Sequence, residues 1–180
     1  MPRVLFILVH PNFENSKANQ FLLDSLPVDD RVTIHDLYEK YPNHFIDVKF
    51  EQNLLLEHDI IFFQHPFYWY SCPALMKQWI DLVLEDGWAY GEGGLHLRGK
   101  IWRQGITTGG NQNSYKHDGF HKYSIENFLL PFKQTALLCG MDYQDPFIVH
   151  GTFQLTEKEL IAEAKRFKTM ICSMLGVTSE

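Results

Sequence analysis

Three segments of the chain carry the residue types of a small-molecule site. The first, His10-Pro11-Asn12-Phe13-Glu14-Asn15-Ser16-Lys17-Ala18-Asn19, brings an imidazole (His10), a hydroxyl (Ser16) and an amide (Asn19) to the expected start of a helix. Free N–H groups and the positive end of the helix dipole suit such a start to a phosphate. It matches neither G-x-G-x-x-G nor G-x-x-x-x-G-K-[ST], so a Rossmann dinucleotide fingerprint and a Walker loop are both absent. The second segment places Phe67, Tyr68, Trp69 and Tyr70 in a row between Pro66 and Pro73. Consecutive side chains point in different directions, so the four cannot all enter one core, and some must face a ligand or another chain. A planar ring stacked on Trp or Tyr gains roughly 0.5–1.5 kcal/mol beyond area burial. Cys72, in the same segment, is expected to be a quiet structural thiol. The third segment opens with Thr107-Thr108-Gly109-Gly110 and continues through Tyr115 to His121. Paired Thr and paired Gly let a backbone approach a ligand edge closely while offering N–H and hydroxyl donors. The phenol and the imidazole could handle a proton or a developing negative charge.

Short apolar runs alternating with helical patterns must position these segments. Arg3–Val9, Arg31–Asp36, Asp59–His65, Lys100–Thr107 and a stretch around Pro146–His150 read as strands. The third is rich in Ile and Phe on both parities, so both its faces should be covered. Helices are predicted over Ser16–Leu26 with Ser16 as N-cap, around Val48–Glu57 after a looser segment containing Pro42, over Ala74–Leu84, and near Ser124–Leu138. Thr156-x-x-Glu159 is a capping box opening the last helix, whose Leu160, Ala164, Phe167 and Ile171 share one face. Five strands separated by helices predict one doubly wound α/β domain over residues 1–180, with a parallel sheet in the order 2-1-3-4-5. Ligands of such sheets lie beyond the carboxyl ends of the strands, where all three segments fall. Phosphate capture, a stacking wall and polar contacts to a ring edge together suit a flavin mononucleotide.

Composition narrows the field further. With 45% hydrophobic and 21% charged residues the chain has the make-up of an ordinary globular protein. A net charge of −6, with no basic cluster, argues against nucleic acid as partner. Three cysteines with no C-x-x-C pair argue against a disulfide framework or a zinc site and suit a reducing, cytoplasmic setting. The apolar run Val4–Val9 is shorter than a signal-peptide core of about 7–15 residues and reads as a buried strand.

Val9-His10-Pro11 with Ser16 and Asn19, His65-Pro66-x-x-Trp69-Tyr70-Ser71-x-Pro73, Gly87-Trp88-Ala89-Tyr90-Gly91 and Thr107-Thr108-Gly109-Gly110 resemble the flavodoxin-like NAD(P)H:quinone reductases. The resemblance is to the bacterial branch that includes the ancillary subunits of glutathione-gated potassium-efflux systems. It implies that His10, Ser16, Ala18 and Asn19 hold the phosphate and ribityl end of a flavin. It implies also that Pro66, Phe67, Tyr68, Trp69 and Tyr70 wall the ring, and that Thr107, Thr108, Gly109 and Gly110 contact its polar edge. Tyr115 and His121 would be the catalytic pair that stabilises charge on the reduced flavin. FMN is expected over FAD, NAD(P)H as electron donor, a quinone or other small molecule as acceptor, and a homodimer as the working form, with Trp88 and Tyr90 at the interface or pocket wall. An alternative role is that of a regulatory subunit that binds and activates a potassium-efflux antiporter at the membrane, with or without catalysis. A small electron-carrier flavodoxin is disfavoured by the His-Pro start and by the Tyr115/His121 pair.

Overall fold

A computed structural model describes residues 1–178. Its sheet is built from β1 (Val4–Leu8), β2 (Val32–Asp36), β3 (Ile60–Pro66), β4 (Ile101–Thr107), β5 (Asp142–Tyr143) and β6 (Phe147–Val149). The strands run parallel in the order β2-β1-β3-β4-β5, with β6 also paired to β4. The chain therefore has the predicted flavodoxin-like topology, but with six strands where the sequence predicts five. The fifth position in the sheet is shared by two fragments. Asp142 and Tyr143 pair with Ile101 and Trp102, while Phe147–Val149 pair with Gly105–Thr107. Between them Pro146 has no N–H to give to a ladder, and the Arg103 side chain takes the Asp145 carbonyl at 2.9 Å.

Every residue of β1 and β3 is buried, because helices cover both faces of the sheet. On one face Leu5, Ile7, Ile61 and Phe63 meet α3 (Val48–Leu56), α4 (Ala74–Val83) and α6 (Leu130–Leu138) through Leu55, Trp79 and Phe132. On the other, Phe6 and Phe62 stack at 5.4 Å, and the fully buried Phe167 packs edge-on against both. Phe167 belongs to α7 (Glu157–Leu175), which packs beside α1 (Lys17–Asp24) on that face. The predicted capping box is present: Thr156 accepts from the Glu159 N–H, and Glu159 accepts from the Thr156 N–H.

Two helical expectations change. The single helix expected near Ser124–Leu138 is two, α5 (Ile125–Phe128) and α6, because Pro131 in the first turn of α6 cannot continue an i→i−4 ladder from α5. The segment before Pro42 also forms a short helix, α2 (Leu37–Lys40), capped by Asp36, whose carboxylate accepts from the N–H groups of Tyr38 and Glu39. Below it lies a polar knot that hydropathy alone does not reveal. The wholly buried Glu51 of α3 binds His35 of β2 at 2.8 Å, the Tyr41 hydroxyl at 2.5 Å and the Trp79 indole N–H at 2.7 Å. A buried carboxylate is tolerable only when so fully partnered.

Candidate functional site

The carboxyl ends of β1, β3 and β4 open onto a cleft of about 430 Å³. Its lining includes His10, Ser16 and Ala18 from the first loop, Pro66 and Tyr68 from the second, and Thr107 and Gly109 from the third. Segments far apart in sequence thus meet at one place, as parallel pairing of β1, β3 and β4 requires.

At the cleft's polar end, Ser16 occupies the N-cap position of α1 but makes no capping hydrogen bond. Its Oγ instead accepts from Asn19 Nδ2 at 2.8 Å, which leaves the first-turn N–H groups without a side-chain cap. Lys17, in the first turn, also lines the cleft. His10 is 7% exposed, and burial holds its imidazole below the usual range, so the ring is neutral at pH 7. The Asn12 N–H donates to His10 Nδ1 at 3.1 Å, which places the ring proton on Nε2. Asn19 stands behind the lining rather than in it. It is 1% exposed and both amide hydrogens are engaged, one with Ser16 and one with Thr107 Oγ1 at 3.1 Å.

The aromatic segment forms a tight turn. Phe67 N–H donates to the Thr107 carbonyl at 2.8 Å and Ser71 N–H to the Tyr68 carbonyl at 2.9 Å. The central residues Trp69 and Tyr70 have φ of 48° and 63°, a type I′ arrangement normally reserved for Asn and Gly. Left-handed backbone at a bulky residue is strained, and strain of this kind gathers at functional sites. The turn sorts the four aromatics. Tyr68 faces the cleft beside His10, with ring centroids 6.4 Å apart. Phe67 and Tyr70 pack on Phe128, and Trp69 is 92% exposed. The strand end feeding this turn is fixed by a buried chain. The Tyr143 hydroxyl donates to Gln104 Oε1, Gln104 Nε2 donates to His65 Nε2, and His65 Nδ1 donates to the Pro66 carbonyl, each at 3.0 Å. Burial lowers His65 to about 4 and raises Tyr143 to about 12, so both stay neutral. Burial also raises Cys72 to about 11, leaving an unreactive thiol.

The third loop is laced to the loop after β6. Thr108 N–H donates to the Val149 carbonyl, Gly151 N–H to the Gly110 carbonyl and Thr152 N–H to the Thr108 carbonyl. The Thr108 hydroxyl donates to the Gly110 carbonyl at 2.7 Å, shaping its own loop. Tyr115 and His121 stack at 4.5 Å and 21°, beside Gly110. No hydrogen bond joins them; instead the phenol oxygen and His121 Nε2 each lie 3.2 Å from where a Gly110 Cβ would stand. Burial raises Tyr115 above its ordinary value, which keeps its proton in place as a donor, and His121 Nδ1 is buried without a partner. Phe67 packs edge-on to Tyr115 at 5.8 Å, tying the second loop to the third.

The sequence reading missed Lys17 and the wall made by Thr152 and Phe153. A Lys directly after the N-cap was available as a signal, as was the Gly151-Thr152-Phe153 run that follows a strand. In the segment at Gly87–Gly94, Trp88 stacks on His96 at 5.2 Å. Among the described residues no helix is long and apolar enough to cross a membrane, and no group of His, Cys, Asp and Glu could hold a metal ion.

Comparison with known proteins agrees with the fold. The chain is 44% identical over 175 residues to a glutathione-regulated potassium-efflux system ancillary protein, KefG, of Yersinia enterocolitica, covering 97% of this chain and 95% of that one. The structure matches general stress protein 14 of Treponema denticola, solved in complex with FMN, with a TM-score of 0.90 and 38% identity over 96% of this chain and 99% of that one. It also matches an NADPH-quinone reductase from P. pentosaceus with a TM-score of 0.85 and 30% identity, covering 93% of this chain and 96% of that one. A family profile described as the flavodoxin-like fold spans residues 2–169, and with β1, β3 and β4 ending in one cleft, the chain belongs to that flavodoxin-like family.

Proposed function

We propose that the chain is an FMN-dependent NAD(P)H oxidoreductase that reduces quinones or related electrophilic acceptors by two electrons in a ping-pong cycle. The observation that carries this reading is one cleft in which a donor-rich phosphate end, an aromatic wall and a glycine-floored polar edge are contiguous. The FMN reported with the Treponema denticola structure, of which 99% is matched, supports the same ligand. The residues suit a flavin: Gly110 lets the Tyr115 and His121 rings close against the loop, where a Cβ would meet them at 3.1–3.2 Å, and His121 Nδ1 is buried with no partner of its own.

When bound, FMN supplies hydride acceptance from NAD(P)H and delivery of two electrons to the acceptor. Around it, Ser16, Lys17 and the open first turn of α1 hold the phosphate, and neutral His10 offers its Nε2–H. Pro66 and Tyr68 orient the ring. Backbone donors at Gly109 and Gly110 address its polar edge, where negative charge develops during reduction, and Tyr115 holds its proton as a further donor there. Asn19 and Thr108 act from behind, through the hydrogen bonds that shape the loops. Trp69, Phe120 and Phe153, each more than four-fifths exposed, rim the region and are the surface a second copy would cover in a homodimer.

A second reading follows from the KefG name of the Yersinia relative: a regulatory subunit that docks on a cytoplasmic face of a potassium-efflux antiporter. The two readings are compatible. Absorbance spectra with a stopped-flow NADPH titration test the first. A protein that neither retains FMN nor quenches its fluorescence would remove the oxidoreductase reading, and antiporter gating that persists without reduction would favour the second.

A further inference from the structure

One buried side chain is poorly matched to its surroundings. Gln64 is 0% exposed on the face of β3 that also carries Ile60 and Phe62, flanked across the sheet by Leu8 of β1 and Gly105 of β4. Its Oε1 has no hydrogen-bond partner. Room for the amide exists only because position 105 is glycine, since a Cβ there would stand 2.0 Å from Oε1. An orphaned carbonyl and a glycine inside a strand both oppose stability. The one contact they secure is from Gln64 Nε2 to Asn19 Oδ1, at 2.7 Å.

That contact decides which way Asn19 faces. With Oδ1 turned to Gln64, Asn19 Nδ2 gives one hydrogen to Ser16 Oγ and the other to Thr107 Oγ1. Both hydroxyls are then acceptors toward Asn19, and each keeps its own O–H for the cleft that both residues line. Were both amides turned over, each hydroxyl would donate to Asn19 and show the cleft only lone pairs. Turning them over would also bury the Gln64 N–H groups unpaired instead of a carbonyl, and orphaned N–H groups are the rarer state in proteins. The buried amide pair thus acts as a polarity setting for two hydroxyls beside the first turn of α1 and Lys17.

We propose that Gln64 is a positioning residue which, through Asn19, leaves the O–H groups of Ser16 and Thr107 free to donate into this end of the cleft and so selects a phosphorylated flavin over its unphosphorylated form. The proposal rests on the flavin reading of the cleft and assigns the source of its phosphate preference. Gln64 itself touches no ligand.

The test uses flavin-free protein titrated with FMN and with riboflavin, followed by fluorescence quenching. Gln64→Met keeps the length and removes the amide, and its folding is checked by circular dichroism. It should bind FMN about tenfold more weakly, the scale of a lost hydrogen bond to a charged group, with riboflavin affinity unchanged within twofold. Gly105→Ala, which displaces the amide from the other side, should give the same selective loss. In a Ser16→Ala/Thr107→Val background, Gln64→Met should have no further effect. An FMN-to-riboflavin ratio equal to wild type in folded Gln64→Met or Gly105→Ala would overturn the proposal. So would an effect that simply adds to loss of the hydroxyls. If wild type binds neither flavin, the flavin reading falls separately. Inorganic phosphate titrated calorimetrically against the same variants then decides the proposal, weaker binding by Gln64→Met supporting it and equal binding overturning it.

Discussion

Replacing Trp69 by glycine should raise the stability of the flavin-free protein while leaving its hold on FMN little changed. Trp69 has φ of 48° and is 92% exposed, so it carries left-handed strain and contributes almost no packing of its own. Relief of that strain is worth roughly 1–2 kcal/mol. The greater freedom of glycine in the unfolded chain offsets about 0.5–1 kcal/mol of it. A net gain of about 0–1.5 kcal/mol remains, and in a domain of 180 residues it lifts Tm by up to about 6 °C. Trp69 does not line the cleft, where Pro66 and Tyr68 orient the ring, so the FMN dissociation constant should be little changed. Thermal denaturation by circular dichroism and an FMN fluorescence titration on the same samples read both quantities. Tyr70 provides the contrast, because it stacks on Phe128 at 5.0 Å, and Tyr70→Gly forfeits that contact and should gain nothing. A Trp69→Gly protein that melts below wild type without flavin would refute the reasoning, since the turn would then be held by the indole and not strained by it.

Removing the Tyr115 hydroxyl with Tyr115→Phe should slow flavin reduction by NADPH in stopped flow at least tenfold while leaving FMN content unchanged; an unaltered reductive half-reaction would exclude the phenol from charge stabilisation. Phe167→Ala, at the centre of the Phe6, Phe62 and Phe147 cluster, should lower stability by about 3–5 kcal/mol in urea denaturation without altering the cleft residues. His65 makes stability depend on acid. Its folded value of about 4 lies below that of the unfolded chain, about 6.5, so only the unfolded state takes up a proton between them. Its contribution is complete above pH 6.5 and is lost as pH falls through that window toward 4, about 3 kcal/mol in all. Folded His65→Gln should therefore show a shallower decline in unfolding free energy between pH 7 and pH 4 than wild type.

The strands were legible because burial on both faces leaves near-continuous apolar runs such as Ile60–Phe63, which no loop would carry. The last helix was legible because its cap, Thr156 with Glu159, is local chemistry written within four residues. What escaped depends on tertiary partners. The two fragments β5 and β6 are separated by a proline and by a hydrogen bond from Arg103, a residue some forty positions earlier. At the site, the residue types of His10, Ser16 and Thr107 announced donors, yet their orientation follows from Asn19 and Gln64, whose contact spans 45 positions. The stacking of Tyr115 on His121, in place of a hydrogen bond between them, likewise depends on how the third loop folds back on itself. Phe153 faces Gly109 because its loop is laced to Thr108 and Gly110, a tertiary pairing that the Gly151-Thr152-Phe153 run after a strand only hints at.

The divided position beside β4 has a consequence for how copies of this protein behave when crowded. An unbroken outer strand is a template on which a neighbouring molecule can add its own strand, the first step of many aggregates. Here that border offers one fragment of two residues and one of three, interrupted at Pro146, and the Asp145 carbonyl is already taken by Arg103. No run there is long enough to recruit a foreign strand. Aggregation, when the protein is heated or concentrated, should therefore begin at the opposite border, along β2, where Ile34 is exposed.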